Sequence, residues 1–175
     1  MTFDDPRDPR QAILAVLASE APGHEIDLST VRFGQEKASA QHLAHVVTYQ
    51  GSGGETARGR PGRMTFFLTV GPDGGWRVSS FMAHDRPPCS RAAGARAYLG
   101  GGHEVDGLHA AGFVDGAGAA VDRVQLRAAD GRVVEDRPEG GFVLFAVDGP
   151  MQPPVTVALI SSEGDELASH PILPG

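Results

Sequence analysis

The stretch Arg63 to Met82, RMTFFLTVGPDGGWRVSSFM, reads as a β-hairpin. Two alternating apolar runs flank Gly71-Pro72-Asp73-Gly74-Gly75. Proline presets φ early in a turn, aspartate bonds the local backbone, and glycine accepts positive φ. If Val70 faces Trp76, then Leu68 faces Val78, Phe66 faces Ser80 and Met64 faces Met82. Strand side chains alternate, so this set shares one apolar face. Thr65, Phe67, Thr69, Arg77, Ser79 and Phe81 then form a more polar second face, open to solvent, a partner or a ligand. A slip of one residue would carry Trp76, the only tryptophan, off the apolar face.

Outward from the hairpin, the first half continues the same pattern. Residues Arg10 to Glu20 place Ile13, Leu14, Val16 and Leu17 on one side of a short helix. Asp8 or the Pro9 step starts it, and Pro22-Gly23 stops it. Leu28 to Phe33 and Leu43 to Tyr49 read as strands, rich in β-branched and aromatic residues. The loop Gly51 to Gly62, GSGGETARGRPG, is glycine-rich and then basic. The order is helix, strand, strand, hairpin, which predicts an α+β layer over residues 8–83: one helix packed on an antiparallel sheet.

The leading helix around Ala12 to Leu17 and the closing Asp73-Gly74-Gly75-Trp76-Arg77-Val78 resemble the cystatin-like α+β fold, including the nuclear-transport-factor-like superfamily. The resemblance implies a fold that hosts enzymes, ligand pockets and dimerisation modules alike, so it carries no function by itself. It implies no catalytic residue here, since the Asp–His pair of some of its enzymes has no positional match.

Residues 84–118 break the pattern, with Pro87-Pro88, Gly100-Gly101-Gly102 and scattered histidines. They read as a linker, with a short helix over Ser90 to Leu99 capped by Ser90 and stopped by the glycines. Residues 119–175 turn to strands. Val121 to Leu126 is followed by Asp130-Gly131 and Val133-Val134, a hairpin signal. Gly141 to Val147, GFVLFAV, is apolar on both faces and predicts a buried central strand, as does Val155 to Ser161. Glu163-Gly164-Asp165 then turns into a last strand near Leu167. The pattern predicts a small sandwich or meander and is similar to the small β-sandwich modules of bacterial accessory proteins.

Composition bounds the function. The 175 residues are 41% apolar with no run long enough to cross a membrane, so no membrane role is expected. The net charge of −7 argues against nucleic acid as partner. Arg58, Arg60 and Arg63 make a basic loop, but no aromatic residues interleave with them as nucleic-acid binding needs. The start, MTFDDPRDPRQ, lacks a basic segment followed by an apolar run, and one cysteine excludes an internal disulfide. Together these predict a soluble cytoplasmic protein.

The candidate sites are few. His84, Cys89, His103 and His109 are the atom types of a transition-metal site, with Asp85, Glu104 and Asp106 nearby in sequence. However, His103 to His109, HEVDGLH, lacks the helical spacing of zinc proteases, and a solvated loop explains it. Cys89 near His84 lacks the other parts of a nucleophilic site. His42 and His45 point to opposite faces of a strand and are expected at the surface. The serines lack a nucleophile-elbow context, and the glycine runs lack the Lys and Ser/Thr of a phosphate loop. The carboxylates Asp115, Asp122, Asp130, Asp136 and Asp148 sit at turns.

Two readings follow. The first is a non-enzymatic binding or protein-interaction module with no cofactor, pairing as a homodimer or with a protein partner through Thr65, Phe67 and Phe81. The alternative is a small-molecule pocket or small enzyme of hydrolase or isomerase type. Its cavity would lie between helix and sheet, lined by Tyr49, Trp76, His45 and His84.

Overall fold

A computed structural model describes residues 7–19, 26–51, 59–84, 94–104, 106–116 and 120–173. They form two compact units, Met1–Asp85 and Arg86–Gly175. The fold is mostly β, with one N-terminal helix and antiparallel sheets, so it is richer in strand than the balanced α+β class expected from the sequence.

In the first unit, helix α1 spans Pro9–Ser19. Asp8 caps it: its carboxylate Oδ1 accepts from the Arg10 N–H at 2.9 Å, and its carbonyl accepts from the Gln11 N–H. Proline at the first helical position loses no hydrogen bond there. At 11 residues α1 would be marginal alone. Ile13 and Leu17, one turn apart, fasten it to the sheet. The expected stop at Pro22-Gly23 lies outside the described residues.

The sheet is a meander in the order β1-β2-β3-β4, comprising β1 (Ile26–Ala38), β2 (His42–Gly51), β3 (Pro61–Val70) and β4 (Trp76–Ala83). Leu43, Val47, Tyr49, Met64, Phe66 and Leu68 form the core with α1, and Trp76, Val78 and Phe33 pack against it. The hairpin turn closes through Gly71 N–H donating to the Gly75 carbonyl at 2.7 Å, with Gly74 at φ +77°.

The hairpin register holds at Val70↔Trp76 and Leu68↔Val78, then shifts. Ser79 is an extra residue in β4, and its hydroxyl donates to the Phe67 carbonyl at 3.1 Å. Beyond this bulge the pairs are Phe66↔Phe81 and Met64↔Ala83, not the expected Ser80 and Met82. Phe81 therefore shares the helix-facing side with Phe66, and their rings stack at 5.6 Å.

Among the described residues the second unit is a sandwich of seven strands. One sheet has the order β5-β6-β9: β5 (Arg96–Glu104), β6 (Gly107–Asp115) and β9 (Phe142–Asp148). The other has the order β11-β10-β7-β8: β7 (Val121–Arg127), β8 (Val133–Asp136), β10 (Val155–Ser161) and β11 (Glu166–Leu173). Leu108, Ala110, Val143, Phe145 and Val147 of the first meet Val124, Leu126, Val155, Val157 and Leu159 of the second. Arg132, just before β8, ties a loop to the sandwich: its guanidinium donates to the carbonyls of Asp148, Gly149 and Pro150.

Two expectations are corrected here. The segment read as a linker with a helix contains the β5–β6 hairpin instead. Ser90 lies outside the described residues, but Arg96 to Leu99 are strand. Strand pairing outweighs the weak helical preference of this glycine-rich run. The hairpin is also unusually close. A Cβ at Gly112 would collide with the Tyr98 carbonyl oxygen, and one at Gly101 with the His109 carbonyl oxygen. The second correction concerns Phe142 to Phe145, which are buried on both faces as expected, although β9 is an edge strand.

Among the described residues no helix is long and apolar enough to cross a membrane.

Trp76 lies in the first unit, so its fluorescence reports that unit's unfolding. Ile13→Ala is expected to cost the first unit about 2–4 kcal/mol in urea titrations followed at the indole. Gly112→Ala is expected to lower the thermal midpoint of the second unit, read by circular dichroism. Gly131→Ala, where nothing lies within 4 Å of the missing Cβ, should cost only its positive-φ strain.

Candidate functional site

The helix-facing side of the first sheet holds three of the four residues expected to line a pocket. Tyr49 belongs to the core, and its ring lies across Gly62 of β3, where a side chain would collide with it. Trp76 packs at the margin of the same cluster. His45 is fully buried, contrary to the expected surface position; His42 is buried too. β2 lies second in the meander, paired along both edges, and its residues from His42 to Val47 are buried on both faces.

His45 is the polar element beneath α1. Its Nδ1 lies 3.1 Å from Glu36 Oε2 of β1, near enough for an ion pair but out of line for a hydrogen bond. Its Nε2 has no hydrogen-bond partner. The ring meets Phe33 edge-on at 5.1 Å, and the Arg10 guanidinium of α1 sits over Phe33 at 5.4 Å. Burial pushes the His45 pKa down, Glu36 partly offsets this, and Arg10 adds to it. The imidazole is therefore neutral at neutral pH. Glu36 is 46% exposed, so the pair runs from the core to the surface.

His84, the fourth residue, lies on the opposite side of the sheet. It follows β4 and shares a 2.8 Å hydrogen bond between its Nε2 and Thr65 Oγ1. Burial, helped by the Arg63 charge, lowers its pKa to about 4. A neutral imidazole on a threonine hydroxyl has both members of a nucleophile–base pair. Thr65, however, is completely buried and unreachable by substrate.

The three residues expected to form an interface also divide. Thr65 and Phe67 lie away from the helix and are 0% and 2% exposed, leaving no area to give to a second molecule. Phe81 is 40% exposed, but the Ser79 bulge places it on the Phe66 side of the sheet.

The metal candidates do not gather among the described residues. His84 belongs to the first unit, whereas His103 and His109 belong to the second, exposed on β5 and buried on β6 respectively. Cys89 lies outside the described residues. Among those described, no three His, Cys, Asp or Glu side chains come close enough to hold an ion. In the second unit His109 lies across Gly102, beside a cavity of about 50 Å3 lined by the glycines of β5, Leu108, Ala110 and Ile172.

Sequence reasoning missed Glu36, Arg10 and Phe33. Two bulges in β1 set the register that brings Glu36 opposite His45. Nothing in the alternation of that strand signals them.

Both histidines bind protons less readily folded than unfolded, where the ordinary value is 6.5. Their contribution to stability is thus complete above pH 6.5 and is lost as pH falls below it, down to about 4 for His84. The urea midpoint of Trp76 fluorescence should drop between pH 7.5 and 4.5. His45→Leu should flatten part of that drop, and an unchanged pH profile would show that this imidazole does not titrate on unfolding.

The chain matches no known family model, no curated protein and no solved structure, so its function is drawn from its own residues.

Proposed function

We propose that the protein is a non-enzymatic binding or protein-interaction module. The observation carrying this reading is the apolar packing beneath α1. Ile13, Leu17, Leu43, Val47, Met64, Phe66 and Leu68 meet between helix and sheet. A site for a small molecule needs roughly 300–1,000 Å3 of space with converging polar groups. The residues nominated to line such a site are instead split between the two faces of the sheet.

A helix followed by a four-stranded antiparallel meander supports a cystatin-like form for the first unit. The single cysteine fits a cytoplasmic setting. A homodimer is supported by the exposed Phe81 on β4, an edge strand of its sheet with one charged side chain, Arg77.

His45 favours the alternative, a small pocket enzyme of hydrolase or isomerase type. A carboxylate at Nδ1 and an unpartnered Nε2 are the parts a general base uses, but at 0% exposure this imidazole is as closed to substrate as Thr65 unless α1 moves.

Light scattering on the full chain is expected to give twice the 18.3 kDa chain mass at about 100 μM, a concentration within reach of micromolar pairing. Phe81→Asp should return it to a single chain. A wild-type chain that stays single would remove the homodimer. Turnover of activated esters or of an enolisable ketone, lost in His45→Leu, would replace the module with the enzyme.

A further inference from the structure

β5 is an edge strand, and among the described residues no strand pairs with its outer side. Its middle, Gly100-Gly101-Gly102, carries no side chains. Glycine inside a strand often marks the place where another backbone comes close. Beside this run lies the cavity of about 50 Å3, walled mainly by apolar groups: Leu99, Leu108 and Ala110 of one sheet and Ile172 of the other, with His109 at its side. Ile172 is an extra residue in a bulge of β11. It packs against the sandwich core together with Leu99.

The strand itself cannot fill this cavity from position 101, because a side chain there would run into the His109 carbonyl. The space is also far too small for a metabolite, which needs several hundred Å3. It suits one small branched apolar side chain, the kind that extended strands favour. An edge offering ladder hydrogen bonds, next to a pocket for one side chain, is the arrangement by which sheets recruit extended peptides.

We propose that β5 docks an extended segment of a partner protein as an added strand, with one Val-sized side chain of that segment in the cavity at Gly100–Gly102. The proposal rests on the interaction-module reading and names the partner's chemistry. A second copy pairing through the same strand is the poorer fit. β5 reads Arg-Ala-Tyr-Leu-Gly-Gly-Gly-His-Glu and brings no β-branched side chain to the cavity.

The test uses the full chain, labelled with nitrogen-15, and two peptides: acetyl-Ser-Thr-Val-Thr-Ser-amide and the same sequence with Gly for Val. The valine peptide should shift the amides of Leu99 to His103 and Ile172. It should bind about tenfold more tightly than the glycine peptide, the worth of one buried branched side chain. Ile172→Phe, which fills the cavity, should weaken the valine peptide about tenfold and leave the glycine peptide unchanged. Leu99→Phe fills the same space from the other sheet and serves if the first variant melts early. Three results would overturn the proposal: no β5 shifts at about 10 mM valine peptide, equal binding of the two peptides, or dilution-dependent β5 shifts that reveal self-pairing there. A chain without β5 shifts that still pairs through Phe81 would lose this site and keep the module reading. Ester turnover lost in His45→Leu would end the module reading whatever β5 does.

Discussion

The ladder between β2 and β3 is the constraint on which the first unit depends. It runs without interruption from His42↔Thr69 to Gln50↔Pro61. Its regularity puts Leu43, Val47 and Tyr49 on the same side as Met64, Phe66 and Leu68, and so makes the surface that α1 needs. A short helix gains little from its own hydrogen bonds. Each fully buried aliphatic side chain it contributes is worth about 1.5–3 kcal/mol. The irregularities of this unit are pushed outward to β1 and β4, where a bulge disturbs one neighbour and not two.

The second unit uses a different constraint, the close approach of β5 and β6. Gly112 lies against the Tyr98 carbonyl and Gly101 against that of His109. This approach fixes the ladder from Arg96↔Asp115 to Glu104↔Gly107 and sets one wall of the sandwich. Gly101, with Gly100 and Gly102, also lines the cavity beside β5, so one glycine run both builds the wall and opens it.

Much of this was legible in the residues. Alternation and turn chemistry located the central hairpin, and Asp8-Pro9 located the helix start. Val121 to Leu126 and Val155 to Ser161 were readable as strands for the same reasons. The Ser79 bulge was not legible, because one extra residue leaves the apolar count intact while turning Phe81 over. β5 was hidden for a related reason: three glycines and neighbouring histidines have the composition of a loop, and only pairing with β6 makes them strand. β9 misled in the other direction. Burial on both faces usually means a strand inside a sheet, yet Phe142 to Phe145 are buried at an edge. For the candidate site, the residue types were found and their grouping was not. Whether His45 meets Glu36, or His84 meets Thr65, depends on registers set by bulges and strand ends.

The placement of the bulges has a consequence for behaviour in crowded solution. Among the described residues neither unit closes its sheets into a barrel, so six of the described strands stand at margins. β1, β4 and β11 are kinked by extra residues, and β8 is only four residues long. Straight margins would invite chain after chain to stack into fibrils. The kinks and the short β8 spoil that template at four margins, whereas β5 and β9 keep unbroken registers, so the safeguard against amyloid-like growth is partial and leaves β5 open to an added strand.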